Sequence, residues 1–235
     1  MKVNRIAYLV TRRFYKVPWL FHQIKLAGKE NKYTIDERYK KVHDVCHRVN
    51  KYAHVNITCT GLENLPKENG YILTPNHQGL FDVLLICDTH ERPTSFVIRK
   101  DLEDVILLKQ VIKALDAKAL DRDDPRQAMK IIKEMTEGIK QGRNYIIFPE
   151  GTRIKEPGFG KAKAGLSLFA IKGKAQVVPI SIISNYKLFN RVTIFIDKPI
   201  SFEEYYKQKL TSEENERLSQ NVLEVIKENY YIHSK

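Results

Sequence analysis

At 235 residues the chain is long enough for one domain with a substantial core, and its 43% hydrophobic content excludes a disordered polymer. Forty basic against twenty-eight acidic residues leave a formal charge of +12, which favours an anionic partner: nucleic acid, a phospholipid surface or a phosphorylated substrate. Cys46, Cys59 and Cys87 are too dispersed for a disulfide framework or a zinc knuckle, so three buried thiols in a reducing compartment are expected. No apolar run approaches the ~18 residues of a spanning helix, and no signal core with a cleavage site opens the sequence.

The first 29 residues form a separable arm ahead of a domain at 30–235. They carry Lys2, Arg5, Arg12, Arg13, Lys16, Lys25 and Lys29, and no acid precedes Glu30, so the arm holds +7 of the charge. Ile6, Tyr8, Leu9, Phe14, Trp19 and Phe21 stand between those cations, and Pro18 divides the arm into two helical halves. Aromatic rings mixed with cations on short amphipathic helices suit the interface of an anionic membrane. The alternative is that the same apolar residues pack on the protein's own core.

Further along, Ile35, Tyr39, Val42, Cys46, Val49 and Ala53 recur at spacings of three and four, which predicts an amphipathic helix over 35–53. VNITC at 55–59 and YILT at 71–74 predict strands, the second halted by Pro75, and the run from Leu80 to Cys87 predicts a buried helix. SFVIR at 95–99 predicts a strand, 101–115 a helix, and 126–140 another helix after an Asp-Pro step. NYIIFP at 144–149 and QVVPISII at 176–183 are nearly continuous apolar runs, as expected for strands buried on both faces. A helix over about 164–172 separates them, RVTIFID at 191–197 gives a last strand, and the charged tail 201–232 is mostly helical. Strands alternating with helical patterns indicate an α/β fold: a mixed, largely parallel sheet flanked by helices, with the amphipathic helical arm in front.

The stretch TPNHQGLFDV places His77 and Asp82 five positions apart. Within one helix they would be rotated by roughly 140° and could not share a face. They can meet if His77 sits in a turn and Asp82 in the first turn of the next helix, a geometry that Pro75, Asn76 and Gly79 allow. A carboxylate on one imidazole nitrogen fixes the tautomer and leaves the other nitrogen to take a proton from a hydroxyl. No serine or cysteine adjoins the pair, so such a hydroxyl would belong to a substrate; the competing reading is a structural Asn-His turn. HDVCH at 43–47 resembles a zincin helix only superficially, since an aspartate replaces the glutamate, no third ligand is evident and Cys46 lies on the apolar face. FPEGTR at 148–153 follows a buried strand, where open α/β sheets place their ligands, and Arg153 offers a fork for phosphate oxygens. ALDRDDP at 119–125 carries Arg122, whose plain reading is a surface pair with aspartate.

Taken in order, NHQGLFD, VIRKDL with LDR, FPEGTR and VVPISI resemble the four successive blocks of the glycerolipid acyltransferases. The blocks run from about residue 72 to 183, and GLENLP at 61–66 is similar to the family's lead-in. KAKAGL at 161–166 is a looser version of the family's basic-glycine segment. Among the family's members, the bacterial enzymes that acylate 1-acylglycerol 3-phosphate are the nearest in pattern.

The resemblance implies that His77 takes the proton from the 2-hydroxyl of lysophosphatidic acid while Asp82 orients and charges the imidazole. That hydroxyl then attacks the thioester of acyl-CoA or acyl-carrier protein directly, with no cofactor and no metal. It further implies that Arg122 and Arg153 hold the phosphate, that Glu150 and Gly151 position the glycerol, and that Lys100 stabilises negative charge on the thioester oxygen or binds phosphate. Because such a substrate resides in the bilayer, the expected location is the cytoplasmic face of the cell membrane, held peripherally or monotopically by the arm on anionic lipid. Rival readings are acylation of glycerol 3-phosphate or another lysophospholipid, and a basic nucleic-acid-binding module. The second rival is poorly served by lysine-rich helices and plainly apolar strands, so no nucleic acid partner is expected.

Overall fold

A computed structural model describes residues 16–79, 81–100, 103–104, 106–121, 124–154, 158–184 and 191–234. The first half of the basic arm and Arg122 lie outside the described residues. The chain forms two compact units, each assembled from segments distant in sequence. The smaller takes the chain up to Thr58 with Val83–Leu120 and Ser184–Val192; the larger takes Cys59–Asp82, Asp121–Ile183 and Thr193–Lys235.

The smaller unit is built mainly of helices. α1 spans Val17–Ala27 and α2 spans Ile35–Tyr52; α3, Phe81–Thr89, has its first turn in the larger unit; β3 spans Thr94–Arg99, α4 Ile106–Leu115 and β4 Lys118–Leu120. α2 starts with a capping box, in which the Thr34 hydroxyl accepts from the Glu37 amide and the Glu37 carboxylate accepts from the Thr34 amide. Its predicted stripe faces inward, with Tyr39, Val42, Cys46 and Ala53 buried. α1 packs on α2 and α4, burying Ile24 and Ala27, while Trp19 stays exposed beneath the Arg48 guanidinium. Arg38 is also buried: its guanidinium donates to the carbonyls of Lys113 and Ala114, which are orphaned at the end of α4. β3 and β4 pair in parallel, Ile98 opposite Ala119.

The larger unit carries β1, Asn56–Thr60, across its boundary, then β2, Ile72–Pro75; α5, Pro125–Lys140; β5, Asn144–Ile146; α6, Gly165–Gly173; β6, Val177–Ile183; β7, Arg191–Ile196; and α7, Ser212–His233. Its strands lie in the order β1-β7-β6-β2-β5. β2 is parallel to both β5 and β6, and β7 returns antiparallel to β6. Every residue of β2 is buried, as are the first six of β6, in keeping with apolar runs covered on both faces. α7 packs on β6, where Ser181 donates to the Ile226 carbonyl, and α6 packs on α5 and α7. The fold is therefore α/β with a mixed, largely parallel arrangement of strands flanked by helices. No helix among the described residues is long and apolar enough to cross a membrane.

Three expectations change. The helix expected over 101–115 is described from Ile106, and the KAL stretch beyond it forms the short strand β4. Cys46 and Cys87 are buried, but Cys59, on a strand with alternating exposure, is only partly so. The hydrogen bond with the neighbouring Cys87 thiol, and then burial, push the Cys46 thiol well above its usual range, so it behaves as an inert core group.

Candidate active site

The site is built in the larger unit where β2 runs into the start of α3. Asn76 is buried one residue past the strand; its side-chain amide donates to the Ile182 carbonyl at 3.1 Å and its oxygen accepts from the Ile182 amide at 2.7 Å. That reciprocal pair imitates a rung of sheet and fixes the turn to the end of β6. His77 follows, and the chain turns through Gln78 and Gly79 into the helix.

Asp82 sits in the first turn of α3, with no exposed surface on its side chain. One oxygen, Oδ2, accepts from the Gln78 amide at 2.8 Å and the Gly79 amide at 2.9 Å, and meets His77 Nδ1 at 2.8 Å. Burial pushes the Asp82 carboxyl above its ordinary value, against the opposing pull of the imidazole and the two amides. The imidazole side chain keeps 14% of its surface exposed, so it is held from the protein side and remains partly open.

The loop after β5 encloses the same histidine. Phe148 stacks on the imidazole with ring centroids 3.8 Å apart and planes inclined by 28°. Gly151 takes a φ of 64°, a left-handed angle that tightens the turn after Glu150. The Ile154 amide donates to the His77 carbonyl at 2.9 Å. Glu150 itself is 2% exposed, with Oε1 accepting from the His77 amide at 3.2 Å and Oε2 from the Gly160 amide at 2.8 Å. Burial raises the Glu150 carboxyl from its ordinary value, while those two amides and the nearby His77 draw it back. His77 is thus fixed on its backbone N–H, its backbone carbonyl, one ring nitrogen and one ring face. The other ring nitrogen, Nε2, is left to exchange a proton.

The structure brings together His77, Asp82, Glu150 and Gly151. Arg153 is exposed three residues beyond the buried Glu150, and Lys100 is exposed immediately after β3 in the smaller unit. Sequence marks Asn76 only as part of the turn, and it does not single out Phe148 or Gly160. Phe148 stood inside FPEGTR and Asn76 beside the strand-ending proline, but the partner of each is distant in the chain. In HDVCH, His47 instead meets Asp88, with Nδ1 3.0 Å from Oδ1.

The family model described as Acyltransferase matches residues 56–183, more than half of the chain. The chain belongs to this acyltransferase family. The matched span contains both loops of the site. A family member from Pseudomonas aeruginosa, named 1-acyl-sn-glycerol-3-phosphate acyltransferase, is 32% identical over 130 residues, which cover 55% of this chain and 50% of that protein. A protein of the same name from Helicobacter pylori is 28% identical over 120 residues, 51% of each chain. The chain spans about half the length of the curated relatives it matches. Its fold is shared with the crystal structure of the 1-acyl-sn-glycerophosphate (LPA) acyltransferase PlsC from Thermotoga maritima, at a TM-score of 0.71 and 23% identity, over 97% of this chain and 93% of that one.

Proposed function

We propose that this acyltransferase moves a fatty acyl group from a thioester, acyl-CoA or acyl-carrier protein, to the 2-hydroxyl of 1-acyl-glycerol 3-phosphate, giving phosphatidic acid. The observation that carries the reading is a buried carboxylate on His77 Nδ1 in a turn with no serine or cysteine beside it. Such a pair supplies a base without a nucleophile, so the nucleophile arrives on the acceptor. The names of the relatives support the choice of acceptor.

In this reading Asp82 holds Nδ1–H and stabilises the imidazolium. Nε2 takes the hydroxyl proton as the oxygen attacks the thioester carbonyl. Collapse of the tetrahedral intermediate breaks the C–S bond, and the imidazolium returns the proton to the departing thiolate. Arg153, exposed on the loop beyond Glu150, binds the acceptor phosphate together with Arg122, and Lys100 serves the thioester oxygen or a phosphate. Gly151 shapes the loop so that backbone can approach the glycerol. The arm at 1–29 docks the protein on an anionic leaflet, with Trp19 and its neighbouring cations at headgroup depth.

The test is purified protein supplied with lysophosphatidate, glycerol 3-phosphate or a second lysophospholipid, each with acyl-CoA and acyl-carrier donors. Phosphatidate is expected from lysophosphatidate and is lost in His77→Ala. No phosphatidate from the wild type, or equal output from the variant, would overturn the reading. Deleting residues 1–29 should abolish sedimentation with anionic vesicles; undiminished binding would refute the docking role.

A further inference from the structure

The structure assigns Glu150 a task other than touching substrate: it is a positioning residue that ties the turn carrying His77 to a loop pinned on the C-terminal helix. This deepens, and rests on, the acyl-transfer reading. The family resemblance gives this residue to the acceptor's glycerol, but its side chain has no room for that. It is 2% exposed, and each carboxylate oxygen already accepts from a backbone amide, His77 on one side and Gly160 on the other.

The far end of this link is firm. Gly160 lies between Phe159, whose ring meets Tyr230 at 5.3 Å and Tyr231 at 6.1 Å near the end of α7, and Ala162, whose amide donates to Gln220 Oε1 at 2.9 Å. The loop is therefore anchored to α7 on both sides of the residue that Glu150 holds. Gly160 is also fitted to this contact, since a Cβ there would lie 3.1 Å from Glu150 Oε2 and 2.8 Å from the Ile154 side chain. Ile154 is the residue whose amide holds the His77 carbonyl. All these elements belong to the larger unit.

Only a carboxylate fits between two donors. A glutamine would present one oxygen and one NH2 group, so one of the two amides would face a donor and lose its partner. With one amide released, the turn should shift and carry the His77 ring off its stack on Phe148.

The experiment compares wild type, Glu150→Gln and Gly160→Ala as full-length proteins. It measures kcat and KM with lysophosphatidate and acyl-CoA and follows by NMR the carbon-bound protons of the His77 ring, which report its stacking on Phe148. Expected for Glu150→Gln is a kcat reduced on the order of 100-fold, as for a displaced catalytic group, with KM within about twofold and the His77 ring signals displaced. A raised KM with kcat intact would make Glu150 a substrate ligand and overturn the proposal, as would no change in either quantity. If the wild type transfers no acyl group, the acyl-transfer reading fails, and the ring signals alone decide the present one: displaced His77 signals in Glu150→Gln uphold it and unmoved ones refute it. If Glu150→Gln does not fold, Gly160→Ala decides, because its methyl presses on the same oxygen. A smaller loss of kcat at constant KM upholds the link, and wild-type kinetics refute it.

Discussion

Among the described residues, His47 and His77 are each bonded through Nδ1 to an aspartate, at nearly the same distance and with different consequences. In the smaller unit His47 meets Asp88 at 3.0 Å with 62% of its side chain exposed. In the larger unit His77 meets Asp82 at 2.8 Å with 14% exposed, against an aspartate that has no exposure. Asp88 is itself only 8% exposed and accepts from the Asn50 side-chain amide, but water surrounds most of the His47 imidazole, so the pair holds little energy. Around the second, Phe148, Glu150 and Ile154 fix the ring and its backbone. Asp82 has no exposed surface, so water does not screen its hydrogen bond to the ring. Contact distance does not separate a surface pair from a base; the number of independent restraints does.

His77→Ala should break the comparison most severely. Transfer should fall by roughly 10³-fold, as expected for loss of a general base, with the circular dichroism spectrum unchanged. Asp82→Asn comes next, with a loss on the order of 10²-fold in kcat. Asparagine can still accept the Gln78 and Gly79 amides, so this variant should keep the turn and lose the charge. Steady-state rates alongside thermal melts separate the two effects.

A third histidine supplies the opposite extreme. His90 is buried, its Nδ1 3.0 Å from the Thr94 hydroxyl, whose own proton goes to the Arg92 carbonyl. Burial lowers its pKa to about 4. The folded state therefore resists a proton that the unfolded chain accepts near 6.5. Its contribution to stability is complete above about pH 6.5, declines as the pH falls toward 4 and levels off below, a loss of up to about 3 kcal/mol. Urea unfolding between pH 7 and 4 should show this slope, and His90→Phe should flatten it. The smallest effect belongs to His47→Ala, which should cost less than about 1 kcal/mol and leave transfer within about twofold of wild type. A tenfold loss of activity there would erase the distinction between the two pairs.

Much of this was legible in the sequence where cause and effect lie close together. The His77–Asp82 contact could be read because a strand-ending proline, a glycine and a helix start occupy ten consecutive residues. β2 and β6 could be read because burial on both faces leaves a continuous apolar run. Glu150 could be seen in FPEGTR, but its partners are 73 residues before it and 10 after it, and neither contributes more than a backbone amide. Arg38 was hidden for a related reason, since what it caps is the end of a helix about 75 residues away. β4 carries three residues and no pattern long enough to have a period; only its pairing with β3 makes it a strand.

The Phe148 ring stacked on His77 also labels it. An aromatic ring lying nearly flat against an imidazole shields the protons it faces, so the carbon-bound protons of His77 should resonate upfield, as should those of His233, which Phe195 stacks at 4.2 Å. His77→Ala removes one of the two displaced signals and so identifies the candidate base in a one-dimensional spectrum. Any acceptor that tilts the ring away from Phe148 would announce its arrival as a downfield displacement of that one signal.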